Sequence, residues 1–374
     1  MRVLTHFALV ALILVAVALP AAARKKSLTR QHPTPSPTPD AAQVESATRL
    51  QIFLDRANFS PGAIDGTYND FTRKAFELYR QGRGEQPSVS STPSPSPSPA
   101  AKNNAAPDTT GLDLTSFGLT FIIYTVTDAD LQSIGPLPSS VAAQAKLKFL
   151  PYRDAAEAIA EKFHCTGHFL EQLNPGKTKT IKAGDQLKVP NVEPFELSAV
   201  KDLKPGGEIG SPAGNDLPDE ENGSGEESSP ASKGASAQTQ SVAVKVDTKT
   251  NMAIVFEEDK LVAAYPVTIG SSQTASPIGE WRVRGMSKLP RFRYDKQMLQ
   301  HGERSGHFYI LPPGPNSPVG VIWIALNKKG IGLHGTNDPE NIGHSVSHGC
   351  IRLTNWDITR VAQKVKVGVP VSIH

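Results

Sequence analysis

Regularly spaced apolar residues occur in three separate stretches of the chain, and each stretch predicts a folded unit. In the first, residues 43–82, apolar residues three and four positions apart predict a helix. After the turn-forming pair Pro61-Gly62, the same spacing predicts a second short helix, which we expect Asp70 or Thr72 to cap. The residues at helical spacing are Leu50, Phe53, Leu54 and Ala57, and then Thr72, Ala75, Phe76 and Tyr79.

The second stretch, residues 117–192, predicts two helices between two strands. The run from Phe121 to Val126 is rich in β-branched and aromatic residues, as strands are. Residues 155–163 have helical periodicity, and Asn174-Pro175-Gly176 ends the next helix, because proline and glycine stop helices. The run from Gln186 to Pro190 predicts a closing strand, which gives the order βααβ.

The third stretch, residues 241–374, consists mostly of short β-like runs. Two of them, 253–256 and 261–265, flank a charged segment and predict a hairpin. Helical spacing is confined to Trp356–Val365, before a last strand at 370–373. Many short strands with Gly and Pro turns are typical of an all-β fold. We therefore expect a mostly-β domain, a sandwich or barrel, with one short helix.

Segments rich in Pro, Ser and Gly separate the three stretches, at residues 24–42, 83–116 and 193–240, the last of them acidic. Such compositions favour extended or disordered chain that does not pack into a core. The sequence therefore predicts a multi-domain protein in which the linkers, rather than a rigid interface, set the arrangement of the domains.

The first 23 residues predict a targeting segment. Arg2 precedes an apolar run that ends in Pro20-Ala21-Ala22-Ala23, as in a cleaved secretory signal. A retained membrane anchor is the alternative, but the run is short against the roughly 20 apolar residues of a spanning helix. We expect cleavage after Ala23, no membrane association afterwards, and a location in the periplasm or cell wall.

The formal net charge of +3 says little about partners, but residues 241–374 are mildly basic. A basic domain suits an anionic partner such as a cell-wall polymer. Nucleic acid is disfavoured, because export argues against it and no basic stripe with interleaved aromatic residues is present.

The segment from Ile331 to Leu353 contains the most reactive chemistry. Cys350 is one of two cysteines in the chain and follows His348 and Gly349. A cysteine attacks as its thiolate, so it needs a base, and histidine titrates in the right range. His334 and His348 are both candidates, and the backbone around Gly349 and Cys350 offers donors for an oxyanion. The pattern predicts acyl transfer on a cysteine nucleophile.

Two other arrangements of these residue types are possible. His334, His344, His348 and Cys350 could bind zinc in a metal hydrolase, although no carboxylate stands in a familiar general-base spacing. We therefore expect neither metal nor cofactor. Cys165 could form a disulfide with Cys350 in an oxidising compartment, but we expect it to be a buried thiol. Cys165 also lies near His164 and His168, which we interpret as structural.

The motif His334-Gly-Thr followed by Ser347-His-Gly-Cys-Ile-Arg-Leu353 resembles the active site of the L,D-transpeptidase (YkuD-type) catalytic domain. The resemblance extends over nearly all of 241–374 and includes the segment Ser276-Pro-Ile-Gly279. It implies that Cys350 attacks a tetrapeptide stem of peptidoglycan and releases D-Ala. A second stem amine then resolves the thioester into a 3→3 cross-link. The implied roles are general base for His334, orientation of His334 by the carbonyl of Gly335, and oxyanion or substrate contacts for Ser347, His348, Gly349 and Arg352.

The two upstream units resemble wall-binding modules, which implies peptidoglycan stems and glycan strands as partners. Residues 43–82 resemble the peptidoglycan-binding type 1 domain, and residues 117–192 resemble a LysM domain with extra chain around Ile134–Tyr152. The residues that carry the first resemblance are Leu50-Gln51, Pro61-Gly62, Ile64-Asp65-Gly66, Thr72 and Ala75-Phe76. Those that carry the second are Tyr124-Thr-Val126, Leu131, Ile159-Ala160, Leu173-Asn174-Pro175, Gly184-Asp185, Leu187 and Val189-Pro190.

The sequence leaves the acceptor of the acyl group open. Water as acceptor gives an L,D-carboxypeptidase, and a protein amine attaches a protein to the wall. A wall-binding scaffold with an inert catalytic domain is a third alternative, which the pairing of His334 with Cys350 disfavours.

Overall fold

The structure is a computed structural model. It describes residues 40–85, 105–203, 241–272, 274–301, 305–344, 347 and 349–374. The predicted signal segment, the greater part of each predicted linker and His348 lie outside these residues. No helix among the described residues is long and apolar enough to cross a bilayer.

The first domain, residues 40–82, is a pair of helices, α1 (Ala41–Arg56) and α2 (Asp70–Gly82). Leu50 and Leu54 are fully buried one turn apart on α1. The predicted cap of α2 is wrong, because Asn69 takes that position: its side chain accepts a hydrogen bond from the backbone N–H of Thr72 at 2.8 Å. Asn69 has the extended backbone that a capping residue requires.

The second domain, residues 117–192, contains the predicted βααβ order. Strand β1 pairs with strand β2 in antiparallel register, from Phe121 opposite Pro190 to Thr125 opposite Gln186. Two short helices precede the predicted pair, and the second of them lies in the extra chain of 134–152. The elements are β1 (Phe121–Thr125), α3 (Asp128–Leu131), α4 (Val141–Gln144), α5 (Ala155–Lys162), α6 (Gly167–Leu173) and β2 (Gln186–Pro190), followed by α7 (Ala199–Asp202).

The C-terminal domain, residues 241–374, is mostly β, as predicted. Its helix α9 (Asn355–Lys364) and the hairpin of β4 (Met252–Glu257) and β5 (Lys260–Pro266) match the predicted segments within one or two residues. The remaining elements are β3 (Val242–Asp247), β6 (Gly279–Lys288), β7 (Phe292–Tyr294), α8 (Lys296–His301), β8 (Tyr309–Leu311), β9 (Ile322–Leu326), β10 (Gly332–His334), β11 (Ile351–Arg352) and β12 (Pro370–Ile373).

Eight of these strands form one sheet in the order β11-β10-β9-β6-β12-β3-β4-β5, and β7 pairs with β8 separately. Thr268, just after β5, exchanges two backbone hydrogen bonds with Arg352 of β11, at 2.9 and 3.0 Å. The two edges of the sheet therefore meet at this point, and the sheet curls into a barrel-like form. Of the two predicted forms, sandwich or barrel, the continuous ladder of eight strands is nearer to a barrel.

The three domains pack against one another within one compact unit, Asp40–His374. Helix α9 contacts both other domains, because Arg360 binds Asp55 of the first domain and Asn355 binds Glu161 of the second. The expectation that linkers alone set the arrangement is therefore wrong for the described residues. Buried polar contacts and apolar clusters shared between the domains fix it instead, and linker composition gives no information about them.

Candidate active site

Two parallel strands position the predicted base beside the segment that carries the thiol. Strand β10 pairs with β11 so that His334 lies opposite Arg352. Cys350 immediately precedes β11, two residues before Arg352. His334 stacks on Trp323, with ring centroids 5.2 Å apart, and Cys350 packs against the apolar cluster to which Trp323 belongs.

The ring of His334 is fixed in one tautomer. Its Nδ1 lies 2.6 Å from the carbonyl oxygen of Gly335. A carbonyl oxygen only accepts hydrogen bonds, so Nδ1 carries the proton and Nε2 keeps its lone pair. Burial lowers the pKa of His334 to about 3, and the charge of Arg352 contributes. His334 is therefore neutral at physiological pH, in the form that accepts a proton.

Arg352 carries a positive charge that acts on both predicted catalytic residues. Burial lowers the pKa of its guanidinium, while the charges of Cys350 and Asp338 act in the opposite direction. The group remains a cation at neutral pH. A neighbouring cation favours a thiolate over a thiol. Arg352 can therefore stabilise the ionised form of Cys350 and the neutral form of His334 together.

Ser347 organises the turn that leads to Cys350. Its hydroxyl donates to the carbonyl oxygen of Cys350 at 2.5 Å and accepts from the N–H of Gly349 at 3.2 Å. Its own backbone N–H bonds Ile269 at 2.7 Å, next to the point where the sheet edges meet. Gly349 has φ +109°, a left-handed conformation that strains residues with a side chain. The hydroxyl of Ser347 therefore stabilises the turn, and the backbone N–H of Gly349 points to that hydroxyl.

The thiol of Cys350 is partly buried, and its Sγ donates to the carbonyl oxygen of Gly330 at 3.4 Å. The second cysteine, Cys165, is buried in the second domain and forms no disulfide with Cys350. Burial raises the pKa of the Cys165 thiol strongly. The expectation of a buried Cys165 is thus confirmed.

The extra chain of the second domain contributes to the apolar cluster against which Cys350 packs. Leu150 is fully buried in the cluster that contains Trp323, and the backbone of Leu150 bonds Pro313 at 2.8 Å and Asn316 at 3.3 Å. The other members that the extra chain contributes are Leu137, Val141, Ala145 and Leu147. Sequence reasoning identified the extra chain but not its position, since nothing local indicates which surface it covers.

Sequence reasoning also missed Trp323 and Asn355. Trp323 stacks on the predicted base, a role that its place in the sequence does not indicate. Asn355 follows the cap Thr354 at the start of α9 and is fully buried. A polar residue beside a helix cap looks exposed in sequence, so no signal in the chain marks it.

Potential metal ligands do not gather into a site within the described part of the chain, where no group of three or more His, Cys, Asp or Glu is arranged to hold an ion. His164 and His168 point to different partners, Asp55 and Gln172 respectively. The position of His348 lies outside the described residues.

The C-terminal domain matches a known family. Residues 241–373 match the family model of the L,D-transpeptidase catalytic domain. A putative L,D-transpeptidase YkuD of Bacillus licheniformis is 34% identical over 119 residues, 32% of this chain and 57% of the relative. The putative L,D-transpeptidase YqjB of Bacillus subtilis is 32% identical over 135 residues, 35% of this chain and 69% of the relative.

The matched region spans little more than half of the Bacillus licheniformis relative, and the comparison thus concerns one domain of this chain. The probable L,D-transpeptidase YbiS of Escherichia coli is 42% identical over 115 residues, 29% of this chain and 37% of the relative. Among solved structures, an L,D-transpeptidase from Mycobacterium smegmatis aligns with 36% of this chain and 59% of its own, at 18% identity and a TM-score of 0.30. A TM-score this low adds nothing to the family assignment.

Proposed function

The chain belongs to the L,D-transpeptidase family, and from that premise we propose that it forms 3→3 cross-links in peptidoglycan through an acyl-enzyme on Cys350. The observation that carries the proposal is the hydrogen bond from His334 Nδ1 to the carbonyl of Gly335. It leaves Nε2 of a neutral imidazole available to take a proton, as a general base requires.

In the first half-reaction, the Cys350 thiol gives its proton to Nε2 of His334, and Sγ attacks the carbonyl carbon that precedes the terminal D-Ala of a donor stem. Arg352 stabilises the thiolate. The tetrahedral oxyanion collapses to a thioester, and His334 returns the proton to the amine of D-Ala, which leaves. Ser347, His348 and Gly349 are proposed to line the site. The oxyanion is proposed to be bound by the backbone N–H of Cys350, because the N–H of Gly349 and the hydroxyl of Ser347 are already bonded within the turn.

In the second half-reaction, the side-chain amine of an acceptor stem attacks the thioester carbonyl. His334 takes the proton from that amine, the C–S bond breaks, and the proton returns to Sγ. The products are a cross-linked stem pair and the free thiol. Water or a protein amine in place of the acceptor stem would complete the same cycle with hydrolysis or protein attachment.

The upstream residues are proposed to bring the enzyme to its substrate. A signal at 1–23 exports the chain to the periplasm or cell wall. The peptidoglycan-binding-like first domain and the LysM-like second domain bind the wall and raise the local concentration of stems. Their support is the sequence resemblance together with the βααβ order of the second domain.

The test is incubation of the purified, reduced chain with tetrapeptide muropeptides, followed by mass spectrometry of products and protein. We expect 3→3 dimers, free D-Ala and an acyl adduct on Cys350, all absent in Cys350→Ala. Cys165→Ala is the matched control and should keep all three. Tripeptide products without dimers would indicate hydrolysis, and sacculus binding with no adduct would indicate an inert scaffold.

A further inference from the structure

A carboxyl group of the second domain forms a hydrogen bond with a buried residue of the catalytic domain near the predicted base. Glu161, on α5, accepts a hydrogen bond from the side-chain amide of Asn355 at 2.6 Å. Both residues are buried, with 6% of Glu161 and none of Asn355 exposed. Tyr152, at the end of the extra chain, also hydrogen-bonds this carboxyl group.

Asn355 lies between the two turns that hold His334 in place. Its Oδ1 accepts from the backbone N–H of Val321 at 3.1 Å. A Cβ atom added at Gly320 or Gly335 would lie only 2.1 or 2.2 Å from that oxygen. The side chain of Asn355 is therefore in close contact with the peptide of Gly335, whose carbonyl orients His334.

The accessory domains also contact the loop that follows His334. The backbone N–H of Gly167, in the second domain, donates to Glu340 at 2.7 Å. Phe71 of the first domain packs against Gly343, where an added Cβ would lie 2.0 Å from its ring. The chain between the base and the nucleophile thus contacts both accessory domains.

We propose that Glu161 is a positioning residue for His334: through Asn355 it holds the peptide of Gly335 where its carbonyl orients the imidazole. The second domain then completes the active site as well as addressing the enzyme to the wall. The inference rests on the proposed acyl transfer at Cys350, but its test does not require turnover.

The chemistry of Glu161 suggests the right variants. Burial raises its pKa to about 8, although bonds from Asn355 and Tyr152 act in the opposite direction. It is therefore largely a neutral acid at pH 7, and glutamine reproduces its shape and charge. The charge of Glu157 also raises the pKa of Glu161. The other charged groups around it line a shared cavity of about 600 Å³: Arg153, Asp154, Asp338 and Glu340.

The experiment measures alkylation of Cys350 by iodoacetamide against pH, because His334, as the general base, must take the thiol proton as Sγ attacks. At pH 7 we expect Glu161→Ala to slow alkylation at least about tenfold, since small displacements of catalytic groups are costly. Glu161→Gln should stay within about twofold of the wild type. Glu193→Ala, which removes an exposed carboxylate just after the second domain, is the matched control and should change nothing.

A second measurement covers the case in which Glu161→Ala does not fold. Above pH 8 Glu161 ionises, so the wild-type rate should fall relative to that of Glu161→Gln. Parallel pH profiles would overturn the proposal, as would a wild-type rate in folded Glu161→Ala or an equal loss in both variants. His334→Ala should slow alkylation in any case. If His334→Ala slows it and the Glu161 variants do not, the positioning role of Glu161 is refuted and the role of His334 as base is not. If the variants show the expected alkylation rates but the wild type forms no muropeptide products, the proposed function is refuted and the positioning role of Glu161 is not.

Discussion

Asp55 accepts two hydrogen bonds from the guanidinium of Arg360, at 2.9 and 2.8 Å, across the boundary between the first domain and helix α9. Nδ1 of His164, in the second domain, reaches the same carboxylate at 3.1 Å. Burial alone would raise the pKa of Asp55, but the charges and hydrogen bonds of Arg360 and His164 hold it well below its usual range. One buried carboxylate therefore joins all three domains.

Removing one partner of this pair should destabilise the whole unit. Arg360→Met leaves a buried carboxylate without its cation, which costs about 3–5 kcal/mol in comparable pairs. We expect a loss of this size in the free energy of unfolding, measured by urea denaturation. The matched control is Arg73→Met, because Arg73 pairs with the exposed Asp70 and should cost less than about 1 kcal/mol. Equal losses in the two variants would contradict the buried junction.

Docking of the extra chain depends on Gly314. An added Cβ would lie 2.1 Å from the carbonyl oxygen of Leu150, and φ is +147°, where a side chain is strained. Gly314→Ala should therefore lower the free energy of unfolding by about 1–3 kcal/mol. It should also expose the extra chain to trypsin at Lys146 and Lys148. Gly306→Ala, with no atom near its added Cβ, is the control, and identical behaviour of the two variants would argue against this docking.

The buried, neutral His334 should make the fold sensitive to acid. Its pKa is about 3 in the folded protein and near 6.5 when unfolded. As pH falls between these values, the unfolded state binds a proton that the folded state does not, so stability is present above pH 6.5 and is lost towards pH 3. The maximum loss is on the order of 5 kcal/mol.

His334→Gln isolates this contribution, since glutamine does not titrate. Urea denaturation between pH 7 and pH 3.5 should show a steeper loss of stability for the wild type than for the variant. Glu161 acts in the opposite direction, because its raised pKa of about 8 removes stability as pH rises from about 4.5 to 8. Parallel curves for the wild type and His334→Gln would show that His334 is not buried in the neutral form.

The two cysteines should differ sharply in reactivity. Cys165 is 3% exposed and burial raises its pKa, whereas Cys350 is only partly buried. A thiol reagent should therefore add once to the native chain, on Cys350, and twice in denaturant, which intact-mass spectrometry reads directly. Cys350→Ser should take up no label when native. Native labelling of Cys165 at a similar rate would contradict the packing of the second domain.

Local patterns predicted several of the elements. Apolar spacing located α9 and the hairpin of β4 and β5, because helix and strand periodicity depend on neighbouring positions. The cap of α2 was missed, because Asn69, Asp70 and Thr72 can all cap and only backbone geometry chooses among them. Linker composition led to the wrong arrangement, because it indicates flexibility between domains and not affinity between their surfaces.

The sequence by itself determined the family, through the spacing of His334 and Cys350 and the residues around them. Tertiary structure alone decided how those residues are supported: His334 on Trp323, Asn355 behind Gly335, and Glu161 and Leu150 brought in from another domain. The physical reason is the separation along the chain over which each interaction acts. A motif lies within a few turns of chain, whereas a buried hydrogen bond between residues 161 and 355 depends on complementary surfaces that no local pattern encodes.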